Sequence, residues 1–244
     1  RLQKNVAFSR RSALELMAIP NSQYFGNSVD LDTLINDLKD LHLLEENDQQ
    51  LSFVHELYQE YFAAEALTHL HQQTPNLVAT LATQSNWTEP LILFDGLLQN
   101  NLATFEQISA INSETAARAL VASLETQPEK RQINLQHAQT DAQSFADAQA
   151  SARGFMALLY LGEHNLITKI VKTVKNPNKT HKQIMESIVQ SCATEQLMDF
   201  LWTLKDITGH AKQLLVWAIE GIEEEIDLGN KAEKGNELII YWLQ

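Results

Sequence analysis

The first regular signal along the chain is Asp30 followed by Leu31, Leu34, Ile35, Leu38 and Leu41. These apolar positions at i, i+3, i+4 and i+7 predict an amphipathic helix with an acidic N-terminal end. Before it, Leu14, Met17 and Ala18 predict a short helix over Ser12 to Ile19, ended by Pro20 and the turn-forming Asn21, Ser22, Gly26, Asn27 and Ser28. After it, Leu43-Leu44 and Leu51-Ser52-Phe53-Val54 flank a polar segment and predict two short strands joined by a turn. His55 to His71 returns to helical spacing, with Leu57, Tyr58, Tyr61, Phe62, Ala64 and Leu67 as a wide apolar face. Phe53, Tyr61 and Phe62 are expected in the core. Two helices, a hairpin and a further helix form the skeleton of a winged helix.

Thr74 and Pro75 mark a border, so the expected domains are 1–73 and 74–244. Beyond the border the pattern is helical, with candidate helices over 77–82, 89–98, 104–110, 113–125, 134–161, 166–175, 181–192, 195–205, 211–228 and 231–243. The stretches 116–124 and 150–159 are loosely alike and resemble paired HEAT-type helices, without a strict period. Stacked antiparallel helices bury Trp202, Leu204, Leu215, Trp217 and Ile240 most simply. The expected fold is therefore mainly α: a winged-helix-like part with a small β-hairpin, then an α-α superhelical domain. Residues 132–152, rich in Gln and Ala, read as one long surface helix; the alternative is a mobile segment that orders against a partner.

Composition narrows the function. With 18 basic and 31 acidic side chains among 244 residues, the formal charge is −13, which repels phosphate backbones and anionic lipid over most of the surface. The helix that reads DNA in a winged helix here carries Asp30, Asp32, Asp37 and Asp40 against Lys39, which disfavours nucleic acid. Lys169, Lys172, Lys175, Lys179 and Lys182, with His181, form the one basic cluster, read either as a solvated face or as a patch that docks an anion or nucleic acid. Glu223, Glu224, Glu225 and Asp227 read as a solvated helix end. His69 and His71, two residues apart, point to different sides of a helix, and no metal site is expected. Cys192, the lone cysteine, has no partner for an intrachain disulfide. The longest apolar run, Phe155 to Leu161, is far short of the roughly 20 residues that span a bilayer. A cytoplasmic location without membrane contact is expected. The chain starts at Arg1 rather than Met, without a secretory leader, and is expected to be a piece of a longer protein.

The segment Phe53-Val54-His55-Glu56-Leu57-Tyr58-Gln59-Glu60-Tyr61-Phe62-Ala63-Ala64 resembles the motif that ends the winged helix of NACHT-type signalling NTPases: Phe-x-His, three residues, then Gln-Glu-aromatic-hydrophobic-Ala-Ala. Trp87 to Leu98 resembles the helix that such proteins place some thirty residues later, so the likeness covers residues 30–98. The resemblance implies that His55 touches the β-phosphate of ADP held by a neighbouring nucleotide-binding domain in the intact parent. An imidazole N–H suits that contact. Gln59 and Glu60 match the motif and are expected to pin the helix to the hairpin. No Gly-x-x-x-x-Gly-Lys-Ser/Thr loop is present, so the chain itself is expected to be non-enzymatic and to hold no cofactor, with ADP or ATP and Mg belonging to the parent. The implied partners are the parent's own nucleotide-binding domain and a protein or other ligand at the helical region. The implied role is sensing and regulation in defence or signal transduction. The competing reading is a self-contained helical-repeat adaptor.

Overall fold

A computed structural model describes residues 7–25, 29–74, 76–98, 101–123 and 127–227. The chain divides into two compact units, Arg1–His69 and Leu70–Gln244, against the 73/74 border expected from sequence.

The first unit runs β1 (Phe8–Ser9), α1 (Arg10–Phe25), α2 (Leu31–Asp40), β2 (Leu44–Asn47), β3 (Gln50–Phe53) and α3 (Glu56–Leu70). Its antiparallel sheet has the order β1-β3-β2, with Phe8 opposite Leu51 and Leu44 opposite Phe53. A strand, two helices and a hairpin that returns to pair with the first strand are the winged-helix arrangement. The two-residue turn Asp48-Gln49 has positive φ at both positions, 50° and 64°, the geometry that matches the twist of a tight hairpin. β1 escaped the sequence reading because two residues are too few to show alternation. The first helix also differs from expectation: it starts at Arg10 and continues through Pro20 to Phe25 instead of ending at Ile19. Proline removes one backbone donor, and a helix with hydrogen-bonded turns on both sides survives that loss.

The core of this unit is small: Ala13, Ile35 and Leu51, with Phe8, Leu14 and Met17 packed against it. Polar groups complete the tie between elements. Asp30 caps α2, accepting from the Asp32 N–H at 3.2 Å and the Thr33 hydroxyl at 2.6 Å. Arg10 donates to Asp32 through Nε and Nη2, at 3.0 and 2.8 Å, and to Glu46 at 3.4 Å, joining α1 to α2 and β2. Lys39 adds a 2.6 Å bond to Glu46, which, with Arg10 nearby, holds that carboxyl below the usual range.

The second unit is helical: α4 (Leu77–Ala82), α5 (Thr88–Leu97), α6 (Leu102–Ile111), α7 (Ser113–Ala122), α8 (Pro128–Gln143), α9 (Ala148–Tyr160), α10 (His164–Lys172), α11 (Lys179–Ser191), α12 (Thr194–Leu204) and α13 (Lys212–Asp227). Contacts sort them into two layers, α5-α7-α9-α11-α13 and α4-α6-α8-α10-α12, the pattern of an α-α superhelix. One core cluster runs from α7 to α13, built around Phe155, Phe200, Ile170, Ile188, Leu204 and Leu214.

The single helix expected over 134–161 is two helices. Asp147 breaks it, its carboxylate accepting from the Gln149 and Ala150 N–H groups at 3.1 and 3.0 Å and so starting α9. The stretch 132–152 buries one face, at Asn134, Ala138, Ala142, Ser151 and Ala152, and leaves the other to solvent at Gln132, Gln136, Thr140 and Gln143. Its small side chains mark close packing: a Cβ at Gly154 of α9 would sit 2.7 Å from Ala138 O and 2.8 Å from Ala142 Cα of α8, and closer still to Ala142 N. Of the expected core residues, Leu204 and Leu215 are buried and Trp217 packs against the core. Trp202 is 52% exposed, and the Lys205 ammonium lies 3.4 Å above its ring, so the indole is covered by a cation rather than by the core. Ile240 and the helix expected over 231–243 lie outside the described residues.

A buried ion pair crosses the stack. Lys130 Nζ of α8 donates to both oxygens of Asp95 on α5 at 2.7 and 2.9 Å, with the two side chains 2% and 5% exposed, and the ammonium lies 5.1 Å from the Phe105 ring centroid. Further along α8, Asn134 Nδ2 donates to Ser109 Oγ at 3.0 Å and Ser113 O at 2.9 Å. Burial raises the pKa of the Asp141 carboxyl, and the Ser113 hydroxyl, donating to it at 2.7 Å, offsets that rise only in part.

Two predictions follow from this packing. Gly154→Ala forces α8 and α9 apart and should destabilise the protein by about 1–3 kcal/mol or more, read as a lowered midpoint in urea. Lys130→Met leaves a buried carboxylate alone and should cost about 3–5 kcal/mol, whereas Lys130→Met with Asp95→Leu should recover most of that loss in the same measurement.

Candidate functional site

The motif segment lies where β3 passes into α3. Val54 N–H donates to Leu43 O at 3.1 Å, which holds the end of β3 against the chain entering β2. The next residue, His55, accepts at its carbonyl from Tyr58 N–H at 3.0 Å and so opens the first turn of α3. The imidazole is exposed and meets the Tyr58 ring edge-on, with centroids 5.8 Å apart. First-turn N–H groups of a helix lack acceptors within the helix, so this junction combines a ring donor with backbone donors.

The apolar face of α3 departs from the sequence reading. Only Ala64 and Leu67 are buried, while Leu57 is 61% and Tyr61 43% exposed, with Phe62 and Val54 also exposed. Phe53 is half-buried, its ring tilted against those of Phe8 and Phe62 with centroids 6.5 and 6.0 Å away. Tyr61 and Phe62 are thus not core residues. The helix is apolar around much of its circumference, and its own unit covers only part of that. Gln59 and Glu60 are half-buried, and Gln59 makes no hydrogen bond to the hairpin it was expected to pin.

The segment presents an exposed imidazole and, on α3, exposed Leu57 and Tyr61 four residues apart on one side of the helix, with exposed Val54 just before it. Solvent-facing groups of this size and spacing mark contact surfaces. Sequence reasoning found His55 through the motif but assigned Leu57 and Tyr61 to the interior, because periodicity alone does not say which neighbour covers an apolar stripe. On α2, Asp32 is held by Arg10 and Asp30 caps the helix, while Asp37 and Asp40 carry the remaining negative charge.

In the second unit, Lys169, Lys172, Lys175 and Lys179 are exposed, and Lys182 faces Glu186 at 3.6 Å and Glu220 at 3.8 Å. The five lysines are therefore not equivalent. His181 is buried instead of joining the cluster: it caps α11 with Asn178 and lies 5.0 Å from the Phe145 ring, and burial lowers its pKa. Glu114 of α7 is pushed up by burial, against the opposing charges of Arg118 and Arg153. Cys192 is buried, with its thiol 3.1 Å from Met156 Sδ. Among the described residues no group of His, Cys, Asp and Glu is arranged to hold a metal ion, and no helix is long and apolar enough to cross a membrane.

Comparison with protein-family models, with curated proteins and with solved structures finds no match to the chain.

The exposure of α3 has a direct test. Leu57→Ser and Tyr61→Ser should each change unfolding stability by less than about 0.5 kcal/mol, as exposed positions do. A loss of about 2–5 kcal/mol would instead mark them as core.

Proposed function

We propose that the chain is the non-catalytic regulatory portion of a NACHT-type signalling NTPase, coupling ligand sensing by the helical unit to nucleotide-dependent activation of the parent. The observation that carries this reading is His55. The ring stands exposed at a strand-to-helix junction, next to exposed Val54, Leu57 and Tyr61, as a residue must if a neighbouring nucleotide-binding domain docks there. In the resting state the imidazole N–H donates to the β-phosphate of ADP, and the apolar side chains of α3 cover the contact from water. Removing water strengthens such a charge-assisted bond, so undocking the winged helix weakens the hold on the nucleotide. A ligand on the helical unit acts by binding the undocked arrangement better than the docked one.

The experiment is ADP retention by the intact parent. His55→Ala should weaken ADP binding by about 10- to 100-fold, the value of one charge-assisted hydrogen bond of about 1.5–3 kcal/mol, without lowering the thermal midpoint of the apo protein. Unchanged ADP affinity, or a parent gene encoding no Gly-rich phosphate loop within roughly one or two domain lengths upstream, overturns the reading in favour of a helical-repeat adaptor.

A further inference from the structure

Arg10, Arg11, Arg118 and Arg131 each face a carboxylate. Arg153 of α9 makes no ion pair or hydrogen bond among the described residues. Its Nε is buried without an acceptor, which costs free energy as long as nothing pairs with the group. The two Nη nitrogens also lack an acceptor but touch solvent. The Glu114 carboxyl of α7 and the Tyr160 hydroxyl of α9 share this condition: both side chains are half-buried, reach solvent at their polar atoms and make no hydrogen bond among the described residues. The fold brings these groups together. α7 packs on α9, with Glu114 and Arg118 at i and i+4 on the first helix and Arg153 and Tyr160 at i and i+7 on the second. The charges of Arg118 and Arg153 both act on Glu114, and those of Arg118 and Glu114 act on Tyr160, so the four side chains border one patch. Two other acids nearby are already engaged: Glu89 by Arg118, and Asp141, which also feels the Arg153 charge, by the Ser113 hydroxyl.

We propose that this patch between α7 and α9 binds a single carboxylate group of a ligand, held by Arg153 with Arg118 and Tyr160 beside it. A guanidinium presents its N–H groups as a planar fork that matches a carboxylate through two parallel bonds. The patch is rich in donors: the open N–H groups of Arg153, the phenol O–H, and Glu114, which burial holds toward its protonated form and which then offers an O–H of its own. A cation would meet only acids that are already engaged or drawn toward the neutral form. A doubly charged phosphate fits less well, because Glu114 and Asp141 oppose the second charge. The net charge of −13 likewise favours a ligand with one negative charge over a polyanion. The same chemistry serves a free organic acid and an acidic side chain of a peptide. This inference is independent of the reading of His55.

The test titrates the full chain with sodium propionate and, separately, with the peptide acetyl-Ala-Glu-Ala-amide at fixed ionic strength. The arginine Nε–H signals are followed by nitrogen-15 NMR, with the Arg153 signal assigned by its loss in Arg153→Gln. A saturable shift of that signal is expected with at least one of the two probes. Read from the Arg118 signal, Arg153→Gln should weaken binding by about tenfold or more, the value of one charge-assisted hydrogen bond, and Arg153→Lys, which keeps the charge but loses the fork, by a smaller factor. Arg11→Gln, at an exposed site in the other unit, should bind as the unaltered chain does. Because Arg153 has no bonded partner to lose, Arg153→Gln should leave the urea midpoint unchanged or raised. Tighter binding of propionate identifies a free organic acid, tighter binding of the peptide an acidic side chain, and equal binding the carboxylate alone; each supports the site. Absence of saturation with both probes, equal binding of acetyl-Ala-Gln-Ala-amide or of sodium phosphate, or a lowered midpoint in Arg153→Gln with binding unchanged, overturns it.

Discussion

The second unit depends on a missing methyl group. At Gly154 the backbones of α8 and α9 approach so closely that a Cβ would meet Ala138 O and Ala142 Cα inside van der Waals distance. α9 is also the helix that touches most others: α7 and α11 in its own layer, and α8, α10 and α12 across from it. Its side chains Phe155, Met156, Leu158 and Leu159 are buried, so the position of α9 sets the space available to both halves of the stack. A shift of one helix by a fraction of an ångström would be felt in every one of those contacts, because packed interiors transmit strain.

Close packing does not by itself choose which residues face one another. The polar groups along α8 make that choice. Lys130 must find Asp95, Asn134 must find Ser109 and the Ser113 carbonyl, and Asp141 must find the Ser113 hydroxyl. A slide of one turn leaves each of these groups buried without its partner, at a cost of several kcal/mol for the charged pair. Hydrocarbon supplies most of the attraction, and the polar row fixes the register.

The helical unit was legible where apolar residues were large and regularly spaced. α4 was placed from Leu77 to Ala82, and α11, α12 and α13 were found within two residues at each described end. What failed failed for identifiable reasons. The Gln- and Ala-rich stretch was read as surface because small residues carry little hydrophobic signal, although small side chains are what backbone contact requires. Asp147 looked like one more polar residue, and only its position before α9 made it a cap. In the first unit the hairpin was visible from Leu44 and Phe53, while β1 rests on the pairing of Phe8 and Ser9 with residues forty positions away. The exposure of Leu57 and Tyr61 was invisible to periodicity, since an apolar stripe looks the same whether a partner from the same chain or from outside covers it. His55 came only from the motif, and a cleft that Pro177 borders with Gly209, His210, Lys212, Gln213 and Val216 came only from the fold.

The layered construction also governs how the second unit deforms. Each helix rests mainly on its neighbours in the stack, and a stack of this kind yields by small rotations spread over several interfaces. At Gly154 main chain meets main chain, and the joint has little slack. It behaves as a keystone, with compliant courses on either side that flex while the middle keeps its shape.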